Sequence, residues 1–183
     1  MQLVRPTAYH LVSYVDALER GWSPDNIRLR AAAIENLESI ARDADGFLAS
    51  LDDREARGGP IKLPDGTTRP RLPGYVSWMW DGEFCGSIGF RWQTGTSELP
   101  FYCLGHVGYT VVPWKERRGY GTDAVRQLLP AARQERLDFL EITTDTGYIA
   151  SQKIITRNGG VLIERFVHPD YGDEERLRYR IPL

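Results

Sequence analysis

The sequence predicts an α/β (α+β) fold, with a mixed, mostly antiparallel sheet of about seven strands flanked by about four helices. Two aromatic, β-rich runs surround an Asp81-Gly82 turn, which indicates a hairpin. An apolar β-type run from Val107 to Val112 is followed by a glycine-punctuated turn and a helix-like segment. Apolar residues at helical spacing alternate with strand-like runs over much of the remaining chain, which is the pattern of a mixed fold.

The composition is that of an ordinary globular domain. The chain has 183 residues, enough to bury a sizeable core, and we expect residues 1–183 to form a single domain. The net charge is −2, so no overall field attracts the protein to nucleic acid or to a membrane surface, and no apolar run approaches the length that spans a bilayer. Only Cys85 and Cys103 are present, without a CxxC pattern or a secretory leader, so we expect a cytoplasmic protein.

The first fifty residues are predicted to hold one short strand and several helical segments. Residues 2–5 resemble an edge strand ended by Pro6. Apolar residues from Leu11 to Leu18 have amphipathic helical spacing, with Thr7 as a suitable N-cap. We expect a second helical region that opens at Ser23-Pro24-Asp25, with Ile34, Leu37 and Ile40–Ala41 on its apolar face. Asp45 is expected to cap a further short turn that carries Phe47, Leu48 and Leu51.

A segment rich in glycine, proline and charged residues, 52–73, interrupts the regular elements. Arg57-Gly58-Gly59-Pro60 and Pro64-Asp65-Gly66 are turn sequences within it. Because it has too few apolar residues for a core of its own, we interpret it as a long excursion from the domain that could form a small hairpin. Long ordered excursions are often functional lids, so we predict that this one shapes a binding pocket.

The remaining elements follow from β-rich and helical patterns. Pro130 is unexpected within a helical stripe, because proline removes one hydrogen bond and should kink the helix. The predicted strands are Tyr75–Trp80, Phe84–Gln93, Val107–Val112, Leu137–Thr144, Val161–Val167 and Arg176–Ile181. One predicted helix follows Gly121 and has an apolar stripe of Val125, Leu128, Leu129 and Ala132. A second predicted helix covers Ile149–Arg157.

The stretch from Gly105 to Gly121 carries the clearest functional pattern. Pro113 ends its strand, and a basic turn then leads into the helix through Arg117, Arg118, Gly119, Tyr120 and Gly121. Such a loop presents backbone N–H groups at the positive end of a helix, where phosphate or pyrophosphate binds. Glycines allow close approach of an anion, and arginines add charge-assisted hydrogen bonds. The alternative is a solvated turn that caps a helix, but the adjoining strand and helix favour anion binding.

The order of elements, together with this loop, resembles the GNAT superfamily of N-acetyltransferases over essentially the whole chain. The family's coenzyme A loop reads Q/R-x-x-G-x-G/A, and residues 116–121 read ERRGYG, with Glu116 in place of the usual Gln or Arg. The family's N-x-x-S pattern on the helix after the fifth strand corresponds to residues 148–151, where Tyr148 replaces asparagine and Ser151 matches. Asn158-Gly159-Gly160 follows where the family often has a glycine turn.

The resemblance implies a site for acetyl-CoA as a co-substrate and no metal. In the family the fourth and fifth strands splay apart, helped by a bulge, and the pantetheine arm lies in the gap and replaces missing strand hydrogen bonds. The residues implied in this way are the backbone groups of Tyr109, Val111 and Val112 for the pantetheine amides, Arg117, Arg118, Gly119, Tyr120, Gly121 and Thr122 for the pyrophosphate, and Ser151, Ile154 and Asn158 along the far side of the arm.

His106 and Tyr148 are the candidate catalytic residues. In many family members an acidic residue occupies the place of His106 and acts as a general base or relays to one, so the resemblance implies that role for His106. A half-buried structural histidine is the alternative. The Tyr148 hydroxyl would serve the leaving thiolate, or its ring would only pack at the helix start. The family's tyrosine acid falls on Ile155 here, so that role passes to another group or to water.

Other reactive or aromatic residues are expected to be structural. Neither cysteine has a nucleophile pattern, and the three histidines lack metal-ligand spacing. The aromatic residues are expected to pack in the core and on the sheet face, with an aromatic acceptor pocket as the alternative; they are Tyr75, Trp78, Trp80, Trp92 and Trp114.

The predicted activity is transfer of an acetyl group from acetyl-CoA to a primary amine of an unidentified small molecule or peptide, by direct attack. The 52–73 excursion would cover the acceptor side, and a homodimer is left open. A non-catalytic acyl-CoA binding module is the alternative, to which the altered positions Glu116, Tyr148 and Ile155 give weight. A nucleotide phosphotransferase is disfavoured because the loop lacks GK[ST], and scattered basic residues argue against nucleic acid as a partner.

Overall fold

The computed structural model describes residues 1–63 and 66–183. It confirms the predicted mixed α/β fold with antiparallel sheets, and the seven predicted strands are all present. Three two-residue strands between residues 52 and 69 are additional. The helices are α1 (Ala8–Glu19), α2 (Arg30–Arg42), α3 (Ala44–Ser50), α4 (Tyr120–Gln134) and α5 (Ile149–Arg157). The strands are β1 (Gln2–Val4), β2 (Asp52–Asp53), β3 (Ile61–Lys62), β4 (Thr68–Arg69), β5 (Gly74–Trp80), β6 (Phe84–Arg91), β7 (Val107–Val111), β8 (Phe139–Asp145), β9 (Val161–Phe166) and β10 (Arg176–Pro182).

The strands are divided among separate sheets. One sheet has the order β1-β5-β6-β7, with β2 also paired to β5, and another has the order β8-β10-β9. The predicted hairpin is the β5–β6 pair, which turns at Asp81-Gly82. Gly82 has a φ of 111°, a left-handed conformation that glycine adopts without steric cost. The fourth and fifth of the seven predicted strands, β7 and β8, therefore belong to different sheets, and β7 is the last strand in the order of its sheet.

The chain divides into two compact units, and the prediction of a single domain stays a prediction. The first unit comprises residues 1–53, 75–89 and 109–127. Its core is aromatic: the Tyr14 ring stacks on Trp78 with centroids 4.3 Å apart, and Phe84 meets both edge-on. Trp78 is thus core, as the packing interpretation predicts, and Trp80 and Trp114 pack against the same cluster. Aromatic pairs of this kind stabilise a core by about 0.5–1.5 kcal/mol beyond their buried area.

The second unit comprises residues 54–74, 90–108 and 128–183 and contains the β8-β10-β9 sheet. Leu140 lies opposite Ile181 and Ile142 opposite Tyr179 in the antiparallel β8–β10 register, and all four side chains are buried. Glu141 lies between the two β8 residues in sequence and is also buried; its carboxylate accepts hydrogen bonds from Arg180 at 2.6 Å and Arg178 at 3.3 Å. Alternation along β8 therefore places Leu140 and Ile142 on one face and the buried, ion-paired Glu141 on the other.

The N-terminal helices differ in detail from the sequence prediction. Helix α2 begins at Arg30 instead of following Ser23 directly, because the Asp25 carboxylate accepts the N–H groups of Ile27 and Arg28 and holds a turn there. Ile34 is 43% exposed, and Ala32 and Ala33 are buried instead. The cap of α3 is Asp43, which accepts the Gly46 N–H at 2.9 Å; Asp45, predicted as the cap, lies inside the helix.

The excursion at 52–73 contains the small hairpin that its turn sequences suggested. Strand β3 pairs with β4 in antiparallel register. The predicted Pro64-Asp65-Gly66 turn has its first two residues outside the described ones. The Tyr102 hydroxyl donates a hydrogen bond to the Pro70 carbonyl at 3.0 Å, which ties the end of the excursion to the segment before β7.

Helix α4 continues through Pro130 to Gln134, and its predicted apolar stripe is buried at Val125, Leu128 and Ala132. No helix in the described ranges is both long and apolar enough to span a membrane.

Candidate functional site

The pairing of β7 with β6 determines which backbone groups β7 can offer to a ligand. The Val112 N–H donates to the Cys85 carbonyl and the Arg91 N–H to the His106 carbonyl, both at 2.9 Å, so the strands are antiparallel. A Cβ on Gly86 would lie 2.2 Å from the Thr110 carbonyl oxygen, so only glycine allows this approach. Because alternate residues direct their backbone groups to opposite edges, Val112 faces β6, and Tyr109 and Val111 face the outer edge.

The three residues predicted to pair with pantetheine do not all face the same edge of β7. Val111 and Tyr109 face the outer edge, where the Tyr109 carbonyl also lies 3.5 Å from the Asn26 amide nitrogen. The Val112 N–H is donated to Cys85, and its carbonyl accepts the Lys115 N–H at 2.9 Å. Adjacent residues of a strand direct their backbone groups to opposite edges, so the sequence alone indicated that Val111 and Val112 could not both face the same ligand.

The glycine loop begins after a 3-10 turn at Pro113–Lys115 and ends where α4 starts at Tyr120. Arg117 and Gly119 have φ values of 60° and 82°, so the chain passes through left-handed conformations at both residues. Arg117 and Arg118 are exposed, and Gly121 is buried in the first turn of α4. The Asp123 N–H donates to the Gly119 carbonyl at 3.0 Å. Helix α4 therefore presents its N-terminal end, the positive end of its dipole, to the loop.

Both ends of the loop contact one carboxylate that the sequence interpretation assigned only to a turn. Lys115, which precedes the loop at residues 116–121, and Tyr120, near the end of the loop, each bond to Asp81 in the β5–β6 turn. Asp81 lies 34 residues before Lys115, so no local pattern could have revealed the contact.

His106 is fully buried and held by backbone groups of β8. The backbone N–H of His106 donates to the Glu141 carbonyl at 2.8 Å, and the ring Nδ1 accepts the backbone N–H of Glu141 at 2.9 Å. This bond places the proton of the neutral ring on Nε2. Nε2 is buried and makes no hydrogen bond of good geometry to residues 1–63 and 66–183, although the Ser97 backbone is near enough to raise the pKa of His106 slightly. Burial lowers the pKa of His106 to about 4; Glu141 raises it and Arg91 lowers it further by smaller amounts.

The remaining predicted residues lie on α5. Tyr148 occupies the N-cap position with 55% of its surface exposed, and Ser151 is buried one turn later. Ile154 is partly buried, and its carbonyl accepts the side-chain amide of Asn158 at 2.9 Å, which closes the end of the helix. Ile155, at the place of the family's tyrosine acid, is fully buried and contributes packing.

The Cys85 thiol is a poor candidate nucleophile. Burial and the nearby Asp81 carboxylate raise its pKa to about 12, so it is protonated at neutral pH. His, Cys, Asp and Glu side chains form no group that could hold a metal ion within the part of the chain that the structure describes.

An edge strand that leads through a basic glycine loop to a helix N-terminus is an arrangement suited to binding a phosphate group. A family model described as "Acetyltransferase (GNAT) domain" matches residues 27–161, well over half of the chain. The protein therefore belongs to the GNAT acetyltransferase family. No curated protein matches the sequence closely enough to count as a relative.

Several solved structures share the fold at low sequence identity. One described as a probable acetyltransferase has a TM-score of 0.63 at 15% identity, covering 98% of this chain and 91% of that one. The microcin C7 self-immunity acetyltransferase MccE, in complex with acetyl-CoA and AMP, has a TM-score of 0.59 at 10% identity, covering 99% and 91%. RimL, a ribosomal L7/L12 alpha-N-protein acetyltransferase in complex with coenzyme A, has a TM-score of 0.56 at 12% identity, covering 99% and 93%.

Proposed function

We propose that this protein is an N-acetyltransferase that moves the acetyl group of acetyl-CoA to a primary amine by direct attack. The observation that carries the proposal is the loop at residues 116–121, where a left-handed glycine and two exposed arginines precede a helix N-terminus. Family membership supports the reaction class. The structures of MccE with acetyl-CoA and of RimL with coenzyme A support the choice of co-substrate.

The loop would bind the pyrophosphate of acetyl-CoA. Backbone N–H groups at the start of α4 and the guanidinium groups of Arg117 and Arg118 supply donors there. Tyr109 and Val111 would pair with the pantetheine amides along the outer edge of β7, and Val112 would contribute packing. The family resemblance supports further proposed contacts to pantetheine, from Ser151, Ile154 and Asn158.

The chemical step requires the acceptor ammonium to lose a proton before it can attack. A lysine-like amine holds that proton with a pKa of about 10.4, so a base or an ordered water chain is needed near neutral pH. Any relay through His106 would use Nε2, since Nδ1 is occupied by the Glu141 N–H. A backbone N–H on β7 would stabilise the negative charge on the thioester oxygen. The exposed Tyr148 is proposed to protonate the departing thiolate.

Direct attack needs no covalent enzyme intermediate. The raised pKa of the Cys85 thiol, about 12, supports that route. A cytoplasmic setting is also retained as a prediction.

The activity test measures coenzyme A release from acetyl-CoA with and without a panel of amines. The panel should include peptides with a free α-amine and small-molecule amines, because RimL is named for a protein α-amine and MccE was crystallised with AMP. We expect at least one amine to raise release well above the rate of hydrolysis in its absence. Tight binding of acetyl-CoA with no response to any amine would favour the non-catalytic binding module.

A further inference from the structure

Lys115, Asp81, Glu83 and Tyr120 form a cluster of ion pairs and hydrogen bonds next to the glycine loop. The Lys115 side chain is 7% exposed, and its Nζ lies 2.7 Å from the Asp81 Oδ1 and 2.6 Å from the Glu83 Oε1. The second Asp81 oxygen, Oδ2, accepts the Tyr120 hydroxyl at 2.5 Å. One carboxylate of the β5–β6 turn thus contacts Lys115, which precedes the 116–121 loop, and Tyr120, near the end of that loop.

Asp81 is the dominant partner in this cluster. Its side chain is 18% exposed, whereas that of Glu83 is 60% exposed and its ion pair is therefore screened by solvent. Burial acts to raise the pKa of the Asp81 carboxyl, but hydrogen bonds from Lys115, Tyr120 and Cys85 outweigh it and hold the pKa below its usual range. Burial likewise acts to lower the pKa of Lys115, and hydrogen bonds to Asp81 and Glu83 raise it overall. Both partners are consequently charged at neutral pH, and neither can be removed without leaving the other poorly compensated.

The loop itself has few internal features that would fix its shape. Residues 116–119 are exposed, and Arg117 adopts a left-handed φ of 60° that costs energy for a residue with a Cβ. The Tyr120 hydroxyl interacts with Arg118 as well as with Asp81, so the cluster also reaches a cationic residue of the loop. A strained, exposed loop keeps one conformation when its ends are fixed by the surrounding structure.

We propose that Asp81 is a positioning residue that holds the 116–121 loop, through Lys115 and Tyr120, in the conformation that binds the pyrophosphate of coenzyme A. The inference rests on the proposed function, since it assigns the loop's geometry to a residue outside the loop. It concerns affinity for the pyrophosphate and not the transfer step.

The test compares the affinities of folded variants for coenzyme A and for pantetheine, which lacks the pyrophosphate. Asp81→Asn should weaken coenzyme A binding about tenfold or more and leave pantetheine binding unchanged. Tyr120→Phe, which keeps the ring and removes only the hydroxyl, should cause a smaller loss in the same direction. Glu83→Gln is the matched control, with an expected affinity within about twofold of wild type because its ion pair is exposed.

Calorimetry and thermal unfolding of each variant separate the outcomes. Equal losses for both ligands would mean that Asp81 supports the fold alone, and wild-type affinity for coenzyme A in folded Asp81→Asn or Tyr120→Phe would also overturn the proposal. If Asp81→Asn does not fold, Asp81→Ser, which also removes the carboxylate, takes its place, because Tyr120 is itself among the residues predicted to bind the pyrophosphate. Failure of the wild-type protein to bind coenzyme A would instead reject the proposed function.

Discussion

At His106, one backbone hydrogen bond decides which ring nitrogen is available for proton transfer. Because Nδ1 accepts the Glu141 N–H, the neutral ring presents an Nε2–H and acts first as a donor. Full burial also lowers its pKa to about 4, which places its titration well below that of an ordinary histidine. The family resemblance therefore favours proton transfer as the role of His106, whereas its burial and low pKa favour a structural role. Kinetic and stability measurements distinguish the two.

If His106 handles protons in the reaction, His106→Ala should lower kcat about 100-fold or more and change the KM for acetyl-CoA far less. The acidic limb of the wild-type pH–rate profile should show an apparent pKa near 4, the value that burial gives this residue, and the variant should lose it. The measurement uses the amine that gives turnover in the panel. Near-normal turnover with an unaltered pH profile would identify His106 as structural.

A stability control for His106 uses His106→Gln, whose side-chain oxygen can still accept the Glu141 N–H but does not titrate. Between pH 6.5 and about 4 the unfolded chain binds more protons at His106 than the folded protein, so the free energy of unfolding falls as pH falls through this window. The lowering of the His106 pKa from 6.5 to about 4 corresponds to about 3 kcal/mol of unfolding free energy. This contribution to the acid sensitivity of unfolding should disappear in the variant.

At the scale of single elements, the sequence correctly predicted the strands, turns and helices that are determined by residues close together in the chain. The Asp81-Gly82 hairpin follows from turn chemistry, and the strand-loop-helix order around Gly119 follows from the positions of proline and glycine. The start of α2 and the cap of α3 were mispredicted. Leu29, without a side-chain cap, occupies the N-cap position of α2, and Asp43 caps α3 although Asp45 is of the same chemical type. The Asp81–Lys115 pair was missed because it joins residues 34 positions apart.

The excursion gives a prediction at the same scale. Replacing residues 64–66 with one glycine keeps β3, β4 and the buried Leu63. If the excursion shapes the acceptor pocket, the variant should raise the KM for the amine about tenfold or widen the range of amines accepted, with the affinity for acetyl-CoA unchanged. Steady-state kinetics over the amine panel measures this. The same acceptor range and turnover as wild type would show that the excursion has no part in acceptor binding.

At the scale of the whole molecule, the order of strands and helices was sufficient to predict the fold class. The same order led to the family, which the match over residues 27–161 then showed. The sequence did not predict how the strands divide, with β7 ending one sheet and β8 beginning another, except through the family resemblance. Sheet membership depends on long-range pairing, such as β8 with the C-terminal β10, that no local pattern encodes.

The central claim is that the 116–121 loop binds acetyl-CoA, and calorimetric titration of wild type and Gly121→Val tests it most directly. Gly121 is buried in the first turn of α4, so a branched side chain there would displace the helix N-terminus that is proposed to bind the pyrophosphate. Gly59→Ala is the matched control, since a Cβ there meets no atom within 4 Å. We expect wild type and Gly59→Ala to bind acetyl-CoA equally and folded Gly121→Val to show no binding. Unchanged affinity in folded Gly121→Val would contradict the assignment of the loop.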